Sequence, residues 1–433
     1  MSDIDEIKTK SINEYGPILG NRWIQLVVAF VSMVMIANLQ YSWTLFSIPL
    51  SKHIGTSLVV IQYAFTIYII MQTFSQPIAG YLLDRVGSNM MFILAGILVG
   101  IGWSMMGQTH SVTGIYFFYA LAGIGAGIVY GGSVSIAVRW FPDRRGLCSG
   151  LIVAGYGMGS MPFIPLISRM LSKGNVSVPF IYTGILQGIV IVIAAILLRY
   201  PVGSKVITKK EKKEAIAKLD QSEIGFKPSE MVRTPHFWLT WSMFFSINVG
   251  GLIITANTTP FGKRMGIAAT YITLAVTMNS FANGTSRFFW GWISDKIGRY
   301  KTMAIGFGLN AIFLFLLPIL GSKSNILYVI CLACVMFTFG EAFSLFPSVN
   351  ADMFGTTYSA ANYGILNSAK GTASLLGGGL GVFLASSFGW NIVFSAAAIL
   401  SLYASIMSIV LPKIPKPKRK EIITNENKPV TIS

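Results

Sequence analysis

Residues 80–87 read GYLLDRVG and residues 291–301 read GWISDKIGRYK. Both carry G-x-x-x-D-[RK]-x-G, at an offset of 211 residues, and each lies between two apolar blocks. A loop motif repeated at the matching place in two halves of a chain indicates one helical unit used twice. Within it, the first glycine is expected to allow a close helix approach and the aspartate to cap a helix N-terminus. The basic residue is expected to meet the inner membrane leaflet.

Outward from these loops the chain is a succession of apolar blocks. Of its 433 residues, 53% are hydrophobic and 11% charged, against about 25% charged in soluble proteins, which excludes a soluble globule. Blocks of roughly twenty residues cross a hydrocarbon core about 30 Å thick. Twelve spans are predicted: 23–48, 58–82, 90–108, 112–138, 147–168, 178–199, 237–261, 268–293, 301–320, 325–349, 361–386 and 390–411. The expected fold is an all-α polytopic membrane protein, with twelve transmembrane helices in two pseudo-symmetric six-helix bundles. The bundles cover 23–199 and 237–411, with an N-terminal segment 1–22, a basic linker 200–236 and a tail 412–433. Residues 205–218, KVITKKEKKEAIAK, read either as a helix on the inner surface or as a solvated linker. The first apolar run has no cleavage site and is expected to be retained.

The formal net charge is +17. Its basic residues sit in short loops, so a membrane accounts for them better than a nucleic acid. With both termini cytoplasmic, the inner segments hold 25 Lys and Arg and the outer loops six, as the positive-inside rule requires. Two of the 33 basic residues belong to no loop, Arg287 and Lys370. An ionised group at the bilayer centre costs about 2.5–3.5 kcal/mol on insertion scales, so both should face the bundle interior. A structural ion pair would need an acidic partner for each, and the spans supply one acid, Glu341, in FTFGEAFSLFP. At 100° per residue, Phe339 and Phe343 share a face and Glu341 points nearly opposite. Glu341 should therefore meet a neighbouring helix, and it remains the candidate for proton coupling. Arg287 and Lys370 read as an anion site.

The repeat sets Arg287 against Gln76 and Lys370 against Tyr156, so one half would capture charge and the other would orient the ligand. Gln40, Tyr41, Trp43, Gln62, Tyr130 and Tyr156 suit a small planar ligand, and Tyr130 and Tyr156 are flanked by glycines. The runs GIGAGIVYGG and LLGGGLG lie within spans, where small residues serve helix packing rather than phosphate binding. No Walker A motif is present, so ATP is not the expected driver, and no cofactor is expected. His53, His110 and His236 are far apart in the chain and suggest neither a metal site nor a triad. Cys148, Cys331 and Cys334 read as packing residues.

The repeated loop resembles the signature of the major facilitator superfamily, which implies two six-helix bundles around a central cavity. It also implies a latch between the halves formed by Gly80, Asp84, Arg85, Gly87, Gly291, Asp295, Lys296 and Gly298. Nearly the whole chain further resembles the oxalate/formate antiporter family, close to the monocarboxylate porters. The resemblance rests on LGNRW (19–23), QYSWTLF (40–46), GIVYGG (127–132), RWFPDRRGLCSG (139–150), AGYGMG (154–159), SDKIGRYKTM (294–303) and SAKGTAS (368–374). It implies that Arg287 and Lys370 clamp a carboxylate inside a cage of Gln40, Tyr41, Gln62, Tyr130 and Tyr156. Where the family's oxalate carriers place Trp and Tyr in span 10, this chain has Phe339 and Phe343. Asn367 replaces a Trp three residues before the lysine, and Glu341 replaces a small residue. The cage is less aromatic, which leaves oxalate, formate, lactate, pyruvate or another short carboxylate open. The expected function is transport of small carboxylates by alternating access, as an exchanger or a proton symporter, by a monomer in the cell membrane. A non-transporting sensor and a membrane-embedded enzyme are the other classes. The short tail disfavours the first, and the lack of an acid, base or metal cluster in the spans disfavours the second.

Overall fold

The computed structural model describes residues 14–141, 143–201, 225–355, 358–415 and 417. The extreme N-terminal segment, the 205–218 stretch and most of the tail lie outside the described residues. In the first half the helices are α1 (Arg22–Tyr41), α2 (Trp43–Ile54), α3 (Leu58–Val86), α4 (Ser88–Met106), α5 (Val112–Trp140), α6 (Arg145–Met158), α7 (Phe163–Leu171) and α8 (Ser177–Leu197). A short α9 (Pro228–Met231) precedes α10 (Pro235–Arg264), α11 (Ala269–Ile297), α12 (Arg299–Gly321), α13 (Asn325–Phe339) and α14 (Ala342–Phe354). The chain closes with α15 (Ser359–Leu366), α16 (Ser368–Gly377), α17 (Gly379–Phe388) and α18 (Trp390–Val410).

Eleven of the twelve expected spans are helices long and apolar enough to cross a membrane. The twelfth is α11, whose 29 residues give it the length while Asn279, Asn283, Arg287, Asp295 and Lys296 lower its hydropathy. This polar helix is tolerated because that face is buried against protein: Asn279, Asn283, Ser286 and Arg287 are all buried. The outward faces are apolar. On α8, Ile185, Ile189, Ile193 and Ile196 recur at helical spacing and are each about half exposed, as a lipid-facing stripe requires.

Four spans are interrupted: α1/α2 at Ser42, α6/α7 at residues 159–162, α13/α14 at Gly340–Glu341, and α15/α16/α17 at Asn367 and Gly378. Ser42, Gly340 and Asn367 keep right-handed helical dihedrals, whereas Gly378 leaves the helical region with φ −94° and ψ −121°. Each break lies within a few residues of a side chain singled out from the sequence, namely Tyr41, Tyr156, Phe339 or Lys370. Backbone irregularity at membrane depth persists where protein or a cavity surrounds it.

The motif loops differ in part from expectation. Gly87 and Gly298 have φ of 96° and 90°, the region that disfavours any side chain, so the closing glycine of each motif is required by backbone geometry. The opening glycines are not packing sites, since a Cβ on Gly80 or Gly291 would meet nothing within 4 Å. Nor does Asp295 cap the next helix: the N-cap of α12 is Gly298, with no side-chain hydrogen bond. Asp295 is exposed in the last turn of α11, and Lys296 sits 3.7 Å over the Trp292 ring.

Close approach occurs instead where α6 crosses α11. A Cβ on Gly157 would stand 2.6 Å from Gly284 Cα, so the two backbones touch and no larger residue fits. Ser160 and Ser280 hydroxyls are 2.7 Å apart beside this crossing. At the end of the bundle opposite the start of α1, three strands of contact join the halves. Thr66 donates to Ser374 O (2.9 Å), Gln62 donates to Ala256 O and Asn257 Oδ1 (2.9 and 3.0 Å), and Thr259 N donates to Thr44 Oγ1 (2.7 Å). These bonds seal that end.

Candidate anion-binding site

Arg287 and Lys370 do meet. Arg287 is carried by the middle of α11 and is 4% exposed; Lys370 is carried by α16 and is 5% exposed. The Phe343 ring of α14 lies beside both, with its centroid 4.8 Å from the guanidinium carbon and 5.7 Å from Lys370 Nζ. A ring face attracts each cation without neutralising it.

Their hydrogen bonds go to neutral acceptors. Arg287 donates through Nη1 to Val153 O (2.5 Å) and through Nη2 to Asn283 Oδ1 (3.1 Å). Lys370 Nζ donates to Gln40 Oε1 (3.2 Å) and Gln72 Oε1 (3.0 Å). Tyr156 OH donates to Gln40 Oε1 (2.6 Å) and accepts from Gln72 Nε2 (2.6 Å), while Tyr41 OH donates to Asn283 Oδ1 (3.1 Å). Most of these bonds cross between the halves, so cations of the second half are held by acceptors of the first.

What remains unused is informative. Arg287 Nε and Asn283 Nδ2 are buried without a partner, and Lys370 has a third N–H beyond the two it commits. All three are donors. A site whose spare groups are donors, with two basic side chains and no facing carboxylate among the described residues, is complementary to an anion rich in acceptor oxygens.

The expected cage divides into two groups. Gln40, Tyr41, Tyr130 and Tyr156 surround the cations: Tyr156 packs edge-on against Tyr41 (5.6 Å) and Tyr130 (5.3 Å), and Lys370 Nζ is 5.9 Å from its centroid. Gln62 belongs instead to the seal at the far end, where it also accepts from Trp43 Nε1 (2.7 Å), and Trp43 stacks on Tyr119. Phe339 lies one layer back. Its ring covers Gly251 of α10, where a Cβ would overlap it, and it contacts Phe343 edge-on at 5.3 Å. Asn367 reaches Gln76 Oε1 at 3.5 Å. Glu341 faces away from the cavity, against Gly306 of α12.

Gln72, Asn283 and the Val153 carbonyl escaped sequence reading. The repeat could have found two of them, because the offset of 211 residues superposes Gln72 on Asn283 just as it superposes Gln76 on Arg287. Each amide lies one turn before the compared pair, on the same helix face. The Val153 carbonyl has no side-chain signature. The histidines also changed: His53 and His110 come together with ring centroids 4.9 Å apart, but no group of three or more metal-ligating side chains forms among the described residues. The cysteines are free, with Cys148 and Cys331 buried and Cys334 half-buried.

A bundle of broken and unbroken spans closing on two buried cations defines a polytopic membrane transporter of the secondary type. The chain belongs to the Major Facilitator Superfamily, whose family profile matches residues 28–271 and 249–433. It is 45% identical over 406 residues to the "Oxalate:formate antiporter" of Oxalobacter formigenes, covering 94% of this chain and 95% of that protein. More distant relatives are "Apicoplast pyruvate carrier 1" of Toxoplasma gondii, 23% identical with 80% and 74% covered, and "Monocarboxylate transporter 13" of Rattus norvegicus, 21% identical with 90% and 89% covered.

Proposed function

We propose that the protein transports small carboxylates by alternating access, exchanging one anion for another as the oxalate/formate antiporters do, and that it is not an enzyme. The observation that carries this reading is the pair Arg287 and Lys370, both buried beside Phe343 with donors to spare. A carboxylate would accept from the Arg287 fork and from Lys370 as a point charge, while Gln40, Tyr41, Tyr130, Tyr156, Phe343 and Asn367 set its size and orientation. Phe339 acts from the layer behind Phe343, and Gln62 acts only through the seal at the far end. The relative named for oxalate and formate supports short anions as substrates, and the relatives named for pyruvate and monocarboxylates support a somewhat larger one.

The neutral acceptors around Arg287 and Lys370 leave their positive charge uncompensated. Closing the cavity over them without an anion costs several kcal/mol, so the loaded carrier reorients faster and exchange follows. The seal at Gln62 and Thr66 opens on one side while the loops at Gly80–Gly87 and Gly291–Gly298 latch the other, with the bundles 23–199 and 237–411 rocking about the α6/α11 crossing. The protein acts as a monomer in the cell membrane with both termini inside. Counterflow of labelled one- to four-carbon carboxylates in proteoliposomes tests the reading; no carboxylate accelerating release of another would overturn it. Proton-coupled monocarboxylate symport is the second reading, favoured by the monocarboxylate relatives and by a buried acid at Glu341.

A further inference from the structure

Glu341 is fully buried where Gly340 and Glu341 interrupt the span formed by α13 and α14. Neither of its carboxyl oxygens has a hydrogen-bond partner. The carboxyl fills the place of a side chain on α12, because a Cβ on Gly306 would overlap its Oε2. The preceding residue packs the opposite way. A Cβ on Gly340 would overlap Ser286 Oγ and stand 2.6 Å from Asn283 O on α11. The break is thus wedged between two helices, with the acid on one side and the support of Arg287 on the other, since Asn283 Oδ1 accepts from Arg287 Nη2 and from Tyr41 OH.

Among the described residues, the charged and titratable groups on the surrounding helices are bonded elsewhere or placed away from the carboxyl. Arg287 of α11 bonds to Val153 O and Asn283, and Arg299 of α12 pairs with Asp352 of α14. Tyr328 of α13 donates to Thr258 O, and Tyr403 of α18 bonds to Ser242 Oγ. Cys331 and Cys334 of α13 are free thiols, and His236, whose ring nitrogens have no partner, lies in the first turn of α10, near the end of the bundle. None supplies Glu341 with a counter-charge or a hydrogen bond. An ionised carboxylate in that position is a buried, uncompensated charge.

We propose that Glu341 is a proton-binding site behind the substrate cavity, and that its proton is a fixed structural ligand rather than a transported one. As a neutral acid it lets α12 close on the Gly340–Glu341 break. Losing the proton forces the carboxylate toward water or α12 away from the break. Either movement lifts Gly340 from α11 and disturbs the Asn283–Arg287 bond. Substrate binding should therefore weaken as the medium becomes alkaline, with no proton carried per anion. This inference rests on the anion-site reading above only for its transport consequence.

The test uses reconstituted full-length protein with the same buffer on both sides of the vesicle. Oxalate or formate counterflow in the wild type is expected to fall about tenfold per pH unit once the proton is lost. Glu341→Gln, an isosteric neutral side chain, is expected to remove the carboxyl's share of that fall and to leave only the loss that titration of the cavity's own Lys370 brings. Glu341→Met is the second neutral variant should the amide fail to insert. A pH dye inside the vesicle should register no proton entry coupled to exchange. Independently of transport, infrared spectra of the wild type at neutral pH should contain a protonated-carboxyl band that either variant removes. A wild type without that band, variants that retain the wild-type pH profile, or proton entry in step with the anion would each overturn the proposal. Absence of carboxylate counterflow with the band present would instead defeat the transport reading and leave the proton site standing.

Discussion

Gln72 and Lys370, 298 positions apart in the chain, meet across the two halves with Lys370 Nζ 3.0 Å from Gln72 Oε1. The same amide donates to Tyr156 OH, which in turn donates to Gln40, the second acceptor of the lysine. One ring of hydrogen bonds therefore fixes the ammonium through four residues. A carboxylate approaching Lys370 must compete with amide oxygens, which are weaker partners than an ionised oxygen.

Placing a carboxylate permanently in that ring should imitate the ligand. Gln72→Glu is expected to pair internally with Lys370 and to abolish high-affinity anion binding, while raising the thermal midpoint of the detergent-solubilised protein. Gln72→Leu should weaken binding less, because it removes an acceptor without supplying a competitor. Titration of ligand-induced thermal shifts in both variants checks the order, and a Gln72→Glu protein that binds like the wild type would contradict the geometry.

Arg287→Gln and Lys370→Gln should each lose about 2–5 kcal/mol of anion binding, the range for removing one side of a buried hydrogen-bonded charge pair. That loss is large enough to remove measurable uptake while leaving an inserted protein, since among the described residues neither cation has an acidic partner to strand. Equilibrium binding in detergent, alongside surface-accessible labelling to verify insertion, decides the point.

Asn367 touches Gln76 of the other half and stands one turn before Lys370, between α15 and α16. Replacing Asn367 by Trp should fill space beside the two cations and shift preference toward the smallest dicarboxylate. Competition assays with oxalate, formate, lactate and pyruvate would show an altered ranking. An unchanged ranking would place this side chain outside the ligand's reach.

Vesicles preloaded with unlabelled carboxylate should accumulate label much faster than unloaded vesicles, with or without a proton gradient. The cause is the uncompensated charge of Arg287 and Lys370, which an anion relieves before the cavity closes. Equal rates from unloaded vesicles, or uptake that collapses with the gradient, would replace exchange with symport.

The apolar blocks, the duplicated loop and the two basic residues stranded in spans were enough to fix the class of fold and to single out the two cations around which the candidate site is built. Hydrocarbon imposes strong rules on composition, so span number and the cost of Arg287 and Lys370 are legible residue by residue. The opposite facing of Phe343 and Glu341 was legible too, because helical phase is a property of the local chain. Tertiary structure decided everything that depends on contact between the halves. Gln62 stood in the expected cage but bonds to Ala256 and Asn257 at the seal, and Gln72, not singled out, took its place beside Lys370. Both are glutamines on α3, ten residues apart, and nothing in their local sequence says which depth faces the cations. That choice is made by where α3 crosses α16, a register fixed by packing between helices distant in the chain. The same holds for Val153, whose carbonyl is bared to Arg287 because α6 and α11 touch at two glycines, an encounter written in neither helix alone.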